Sequence, residues 1–332
     1  MVDSMRLSRT SALIGAAVWL AWVVGIAASP FETSWPTALL LLAALVLVPL
    51  CLGVVLDTAQ SLEAIRSERI AMPLQLPAAL ALVVSCSLPE GFWAAVLALP
   101  WLGFTGMVAL TGWYRLWRRD PAPLPELSVD AGLMYLVVGG AWTLLSRFGA
   151  RPLAFSPEIV FLTAIHFHYA GFVLPILTGL AARAVGGGMA SLATIGVIAG
   201  VPLVAVGITA TQLGFGLRLE SLAATLTALA GLLTAGLQLR LSARSGAPLP
   251  ARAHWALSAW ALAVGMTLAA LYGLRTYWHF PWLSIPWMQA VHGSVNALGF
   301  GLIGIVGWHL ARRKNSRLRT PVSESLTQSE RV

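Results

Sequence analysis

The sequence predicts an all-α, polytopic transmembrane helical bundle of about ten helices with both termini cytoplasmic, and three observations carry that expectation. Of the 332 residues, 58% are hydrophobic and only 10% charged, against roughly 25% charged in a soluble domain. The mean hydropathy is +0.80. Apolar windows long enough to span the hydrocarbon layer, roughly 20 residues, fall at 11–29, 37–56, 74–89, 92–116, 129–147, 157–182, 189–212, 219–241, 254–276 and 285–311.

Each window has its own signature. The first follows Arg6 and Arg9, as a signal peptide would, but no small-residue cleavage site precedes a polar start, so it reads as a retained helix. The third is short and stops at Pro89-Glu90-Gly91; windows three and four are therefore two spans or one broken element, ten spans or nine. Arginine bias favours ten. With the N-terminus inside, Arg6, Arg9, Arg66, Arg69, Arg115, Arg118, Arg119, Arg183, Arg240, Arg244, Arg252 and the basic C-terminus lie inside. Arg147, Arg151, Arg218 and Arg275 lie outside. Residues 57–73 read as an amphipathic segment on the inner surface, and the proline-rich 118–128 as a stiff inner loop. One integral membrane domain is expected over 1–318, with a disordered cytoplasmic tail over 319–332.

The net charge of +8 sits in short loops and the tail, where it sets topology and meets anionic headgroups rather than nucleic acid. Cys51 and Cys86 stand in apolar runs and read as small core residues, not as a disulfide or metal site. No phosphate-cradling glycine loop, aspartate-rich Mg²⁺ motif, nucleophile elbow or HExxH zinc motif is present.

The chemistry concentrates in two spans. Leu162–Phe172 places His166, His168 and Tyr169 where an ionisable group is costly unless it faces a cavity, a partner or a metal. Helical spacing sets Thr163, His166 and Tyr169 on one face and turns His168 away. Pro175 removes a backbone hydrogen bond near Gly171 and permits local unwinding. In the last span Gln289, His292 and Asn296 form a stripe beside Gly293, Gly299, Gly301 and Gly304, as a cavity wall would; interhelical hydrogen bonding is the plainer reading. Glu158 follows Pro157 in a first helical turn, where a carboxylate complements the helix dipole; as a buried acid it would lead toward His166. Arg147 and Arg151 flank that mouth and suit either an anionic headgroup or a carboxylate. His254, His309 and His279 read as interfacial residues of an aromatic belt. Val48-Pro49-Leu50-Cys51-Leu52-Gly53 also echoes Leu174-Pro175-Ile176-Leu177-Thr178-Gly179 four helices later, the spacing of a parallel repeat. A tolerated proline kink beside a packing notch explains that match more simply.

The run Ser146–Leu153 with Thr163-Ala164-Ile165-His166-Phe167-His168-Tyr169-Ala170-Gly171-Phe172, and His292–Phe300 near the end, resembles the YndJ-like family of bacterial multipass membrane proteins. The first half matches that family only in its helix pattern. The resemblance implies an integral membrane protein, sometimes labelled a transporter, and supplies no mechanism.

From the residues, the leading expectation is a membrane-embedded acid–base enzyme of isomerase, cyclase or epoxide-opening type. Its substrate would be lipophilic, isoprenoid- or polyketide-like, held in an intramembrane cavity. His166 and His292 serve as acid and base and Tyr169 as donor. Thr163, His168, Gln289, Asn296, Glu158, Arg147 and Arg151 contact substrate. No cofactor is needed. The alternatives are a multipass carrier, or a haem or transition-metal protein using His166 or His168 with His292. Its partners are then the bilayer and a small lipophilic molecule, without nucleic acid, in a bacterial cytoplasmic membrane.

Overall fold

A computed structural model describes residues 4–28, 35–56, 62–119, 122–278 and 280–317. Ten helices run through them: α1 (Ser4–Ala28), α2 (Trp35–Leu56), α3 (Leu62–Ser87), α4 (Phe92–Arg118), α5 (Leu124–Phe148), α6 (Pro157–Val185), α7 (Gly187–Gln212), α8 (Arg218–Arg244), α9 (Leu249–Gly273) and α10 (Ile285–Arg312). No strand occurs among the described residues. Nine of these helices are long and apolar enough to cross a membrane; α3 is apolar over the shorter stretch Met72–Ser87. Windows three and four are thus separate helices, parted by a turn in which Gly91 adopts φ 146°, open to glycine but not to a side chain. Residues 57–61, the tail from 318 onward and His279 lie outside the described residues; the rest of the expected inner-surface segment opens α3.

Local chemistry explains the helix ends. Ser156 caps α6 by accepting from the Ile159 amide, with Pro157 behind it. Ser284 caps α10 likewise through the Trp287 amide, followed by Pro286. Gly149 closes α5 at φ 80°, the left-handed position a side chain disfavours.

The central element is α2, whose apolar window is 94% buried against 22% for α1. α2, α6 and α10 touch one another pairwise, and α1, α5 and α9 each pack along one of them. The hairpins α3–α4 and α7–α8 fill the remaining flanks. All three central helices are interrupted by π segments, at Ala43–Leu47 in α2, Tyr169–Val173 in α6, and Met288–His292 and Val295–Leu302 in α10. Two of these immediately precede a proline, Pro49 and Pro175. Each proline has no amide to donate and clashes with the carbonyl four residues back, so the preceding turn widens. Within lipid the released acceptors need donors from neighbours, and Gln75 Nε2 meets the Ala44 carbonyl at 2.8 Å.

At the inner end, five charges tie three helices together. Arg115 of α4 meets Asp130 of α5 at 2.5 Å; Arg119 reaches Asp130 at 3.0 Å and Glu126 at 2.9 Å; Arg183 of α6 pairs with Glu126. Asp130 is fully buried. This carboxylate can be enclosed because two guanidiniums meet it. His309 departs from expectation. It is buried rather than interfacial, accepting from Arg9 Nε at 3.3 Å while Nε2 bonds the Leu50 carbonyl at 3.0 Å. That contact seals α1 and α2 onto α10.

Candidate functional site

His166 lies nine residue steps into α6 and His292 seven into α10, roughly 14 and 11 Å from the outer helix ends at 1.5 Å per residue. The spans that carry them, α6 and α10, touch one another. His292 Nδ1 bonds the Gly265 carbonyl at 2.9 Å. A carbonyl only accepts, so Nδ1 carries the proton and Nε2 keeps a lone pair. His292 is half-buried, whereas the His166 ring is left exposed by the surrounding helices.

Asn296 completes this cluster. Its Nδ2 donates to the His292 carbonyl at 2.9 Å, 3.3–3.4 Å from the imidazole nitrogens, while its buried Oδ1 has no partner. Gly265 makes the room: a Cβ there would lie 2.5 Å from Asn296 Oδ1. On the outer side Gln289 Nε2 donates to Glu158 Oε1 at 2.6 Å, linking the first turns of α6 and α10. Glu158 is exposed rather than a buried acid.

Other predicted site residues go elsewhere. His168 is fully buried with both ring nitrogens engaged, Nε2 accepting from Trp101 Nε1 at 3.0 Å and Nδ1 bonding the Ala164 carbonyl at 2.8 Å. It stacks on Trp101 at 5.8 Å and packs α6 onto α4, so it neither contacts a substrate nor ligates a haem without losing those bonds. Tyr169 Oη donates to the Leu39 carbonyl of α2 at 2.8 Å, which commits the proton assigned to catalysis. Thr163 returns its hydroxyl to the Ile159 carbonyl at 2.7 Å. Arg147 caps the α3–α4 turn through the Ser85 and Leu88 carbonyls at 3.1 and 2.5 Å instead of facing Glu158. Arg151 is exposed. Of the predicted set, the structure brings His292 together with Asn296, and Gln289 together with Glu158.

Sequence reasoning missed several partners. Trp35 Nε1 donates to Ser294 Oγ at 2.8 Å, fastening α2 to the site-bearing stretch of α10. Gln75 and Gln238 were legible as amides inside apolar windows; the single Ser258 hydroxyl proton is shared between the Phe300 carbonyl at 2.9 Å and Gln238 Oε1 at 3.1 Å. No group of three or more His, Cys, Asp or Glu residues suited to a metal occurs among the described residues. An open apolar groove at the outer end of α7, lined by Ala205, Val206, Thr209, Leu213 and Phe215, includes none of the predicted site residues.

The YndJ-like family model matches residues 38–300, which includes both imidazoles and nine of the ten helices in whole or part. The chain belongs to the YndJ-like family. An uncharacterised membrane protein, YndJ, of Bacillus subtilis (strain 168) is 30% identical over 219 residues, covering 65% of this chain and 39% of that protein. The matched part of the chain thus spans about two fifths of that relative's length. No solved structure matches. This YndJ-like chain is a membrane protein with a multi-helix apolar bundle, as its relative's description and its own spans agree.

Proposed function

We propose that His166 and His292 form an acid–base site for a lipophilic small molecule, in the cytoplasmic membrane of a bacterial cell. One observation carries the reading: two imidazoles lie on touching interrupted helices, one of them uncovered. With Nδ1 of His292 bonded to the Gly265 carbonyl, its neutral ring keeps the Nε2 lone pair as a base, and in this reading His166 is the acid that partners it. Asn296 Oδ1, buried and unpartnered, supplies an acceptor for a substrate hydroxyl, and the uncovered side of His166 an approach from the lipid phase. Isomerisation, cyclisation or epoxide opening of an isoprenoid- or polyketide-like lipid requires this kind of paired proton movement. Lipid extracts of cells with and without the gene, compared by mass spectrometry, test the reading. A precursor should accumulate in the deletion and persist with His166→Ala or His292→Ala. Unchanged extracts would overturn it.

A carrier is the second reading, favoured by three interrupted helices meeting at the core. Uptake into sealed vesicles without chemical change, lost with the same two variants, would select it.

A further inference from the structure

One contact pattern occurs three times in this chain. In α1 and α2, Ser8 Oγ donates to the Pro49 carbonyl at 2.6 Å, and a Cβ on Gly53 would lie 2.7 Å from Ser8 Cβ. In α5 and α6, Ser128 Oγ donates to the Pro175 carbonyl at 2.8 Å, and a Cβ on Gly179 would lie 3.3 Å from Ser128 Cβ. In α9 and α10, Ser258 Oγ donates to the Phe300 carbonyl at 2.9 Å, and a Cβ on Gly304 would lie 2.6 Å from Ser258 Oγ. Each time the glycine stands four residues after the acceptor and abuts the same serine.

A second contact repeats in register, between the residue seven after the serine and the residue four before the acceptor. The pairs are Gly15 against Leu45, Tyr135 against Gly171, and Gly265 against Asn296, one member being glycine in every case. A π segment precedes or covers the acceptor in each copy, at Ala43–Leu47, Tyr169–Val173 and Val295–Leu302. In the first two copies a two-helix hairpin follows, α3–α4 and α7–α8.

We propose that the chain contains three copies of one two-helix unit. The serine of each copy is a positioning residue that holds its widened helix in register, Ser258 doing so for the stretch carrying His292 and Asn296. The physical reason is shared. Beside each widened stretch a serine hydroxyl ties the two helices together by reaching a carbonyl of the partner, which it can do only where glycine lets the two backbones close. The polar chemistry then belongs to two copies. The position held by His166 in the second is Leu40 in the first, and that of Asn296 in the third is Leu45 in the first. The last clause rests on the proposed site; the repeat does not.

The test uses the full chain in membranes, with Cys51→Ala and Cys86→Ala. Cysteine pairs replace Ser8 and Gly53, Ser128 and Gly179, and Ser258 and Gly304, and mild oxidation is followed by mass spectrometry of linked peptides. All three pairs should link, and pairs displaced by one residue (Ser8 with Val54, Ser128 with Leu180, Ser258 with Ile305) should not. A failed in-register pair in folded protein, or equal linking out of register, overturns the repeat. Should a cysteine pair prevent accumulation, Ser8→Ala, Ser128→Ala and Ser258→Ala serve instead. Each should lower the melting temperature, and one without effect overturns the shared role. For positioning, ¹⁵N histidine spectra in detergent should show the His292 signals shifted by Ser258→Ala and unmoved by Ser8→Ala; unmoved signals in both overturn it. None of these readouts needs an activity, so their outcome is separate from that of the acid–base reading.

Discussion

Removing Asp130 should expose how costly a stranded charge is at the inner end of the bundle. The Asp130 side chain is wholly buried and that of Arg115 is 4% exposed. In Asp130→Ala the guanidinium keeps its place without its partner at 2.5 Å. Breaking one side of such a pair costs about 3–5 kcal/mol, most of it the penalty of an uncompensated buried cation. Glu126 stays 3.5 Å from Arg115 and offsets part of that, so the lower end, about 3 kcal/mol, is expected. That is a loss of over a hundredfold in the folded-to-unfolded ratio, since about 1.4 kcal/mol is tenfold. Arg119 is 30% exposed and retains Glu126, so it adds little. Pairing Asp130→Leu with Arg115→Met should recover all but about 1 kcal/mol, because neither charge then needs a partner. Denaturation in detergent, followed by the fluorescence of the 14 tryptophans, measures all of this. A cost under about 1 kcal/mol for Asp130→Ala, or a double variant no better than the single one, would refute the reasoning.

Other outcomes follow from the site and its supports. His168→Leu should cost about 1–3 kcal/mol by leaving the Trp101 indole without an acceptor, shift the tryptophan emission, and leave lipid composition as in wild type; loss of activity at full stability would show a role beyond packing. His166→Ala and His292→Ala should abolish function while membrane insertion, followed by fractionation and melting temperature, is retained. Gly265→Ala should displace Asn296, costing about 1–3 kcal/mol by overpacking, and reduce activity more than Gly103→Ala, where a Cβ meets nothing. Haem ligation by the His166–His292 pair predicts a Soret band in purified protein; a featureless visible spectrum removes that alternative.

The helices were legible because crossing a bilayer is a local property of composition and length. The partners of buried polar groups were not, because they come from distant segments. His166 and His168 stand two residues apart, and helical spacing shows only that they diverge. Trp101, 67 positions away, decides that His168 is packing while His166 stays uncovered. Arg147 stands close to Glu158 in the chain, yet the turn after α3 presents bare carbonyls nearer at hand and takes its guanidinium. Asp130 is enclosed only because Arg115 and Arg119, 15 and 11 positions away, fold over it. The echo between Pro49 and Pro175 was visible as a motif; its third member was hidden, since Phe300 replaces the proline and only the Ser258 contact reveals the equivalence.

By itself the amino-acid order determined that this chain lives in a membrane as a helical bundle, for apolar run length is fixed residue by residue. Tertiary structure alone decided which polar groups remain available for chemistry. In lipid each donor and acceptor must find a partner within the protein, and that competition is settled by which backbones approach closely enough to meet it.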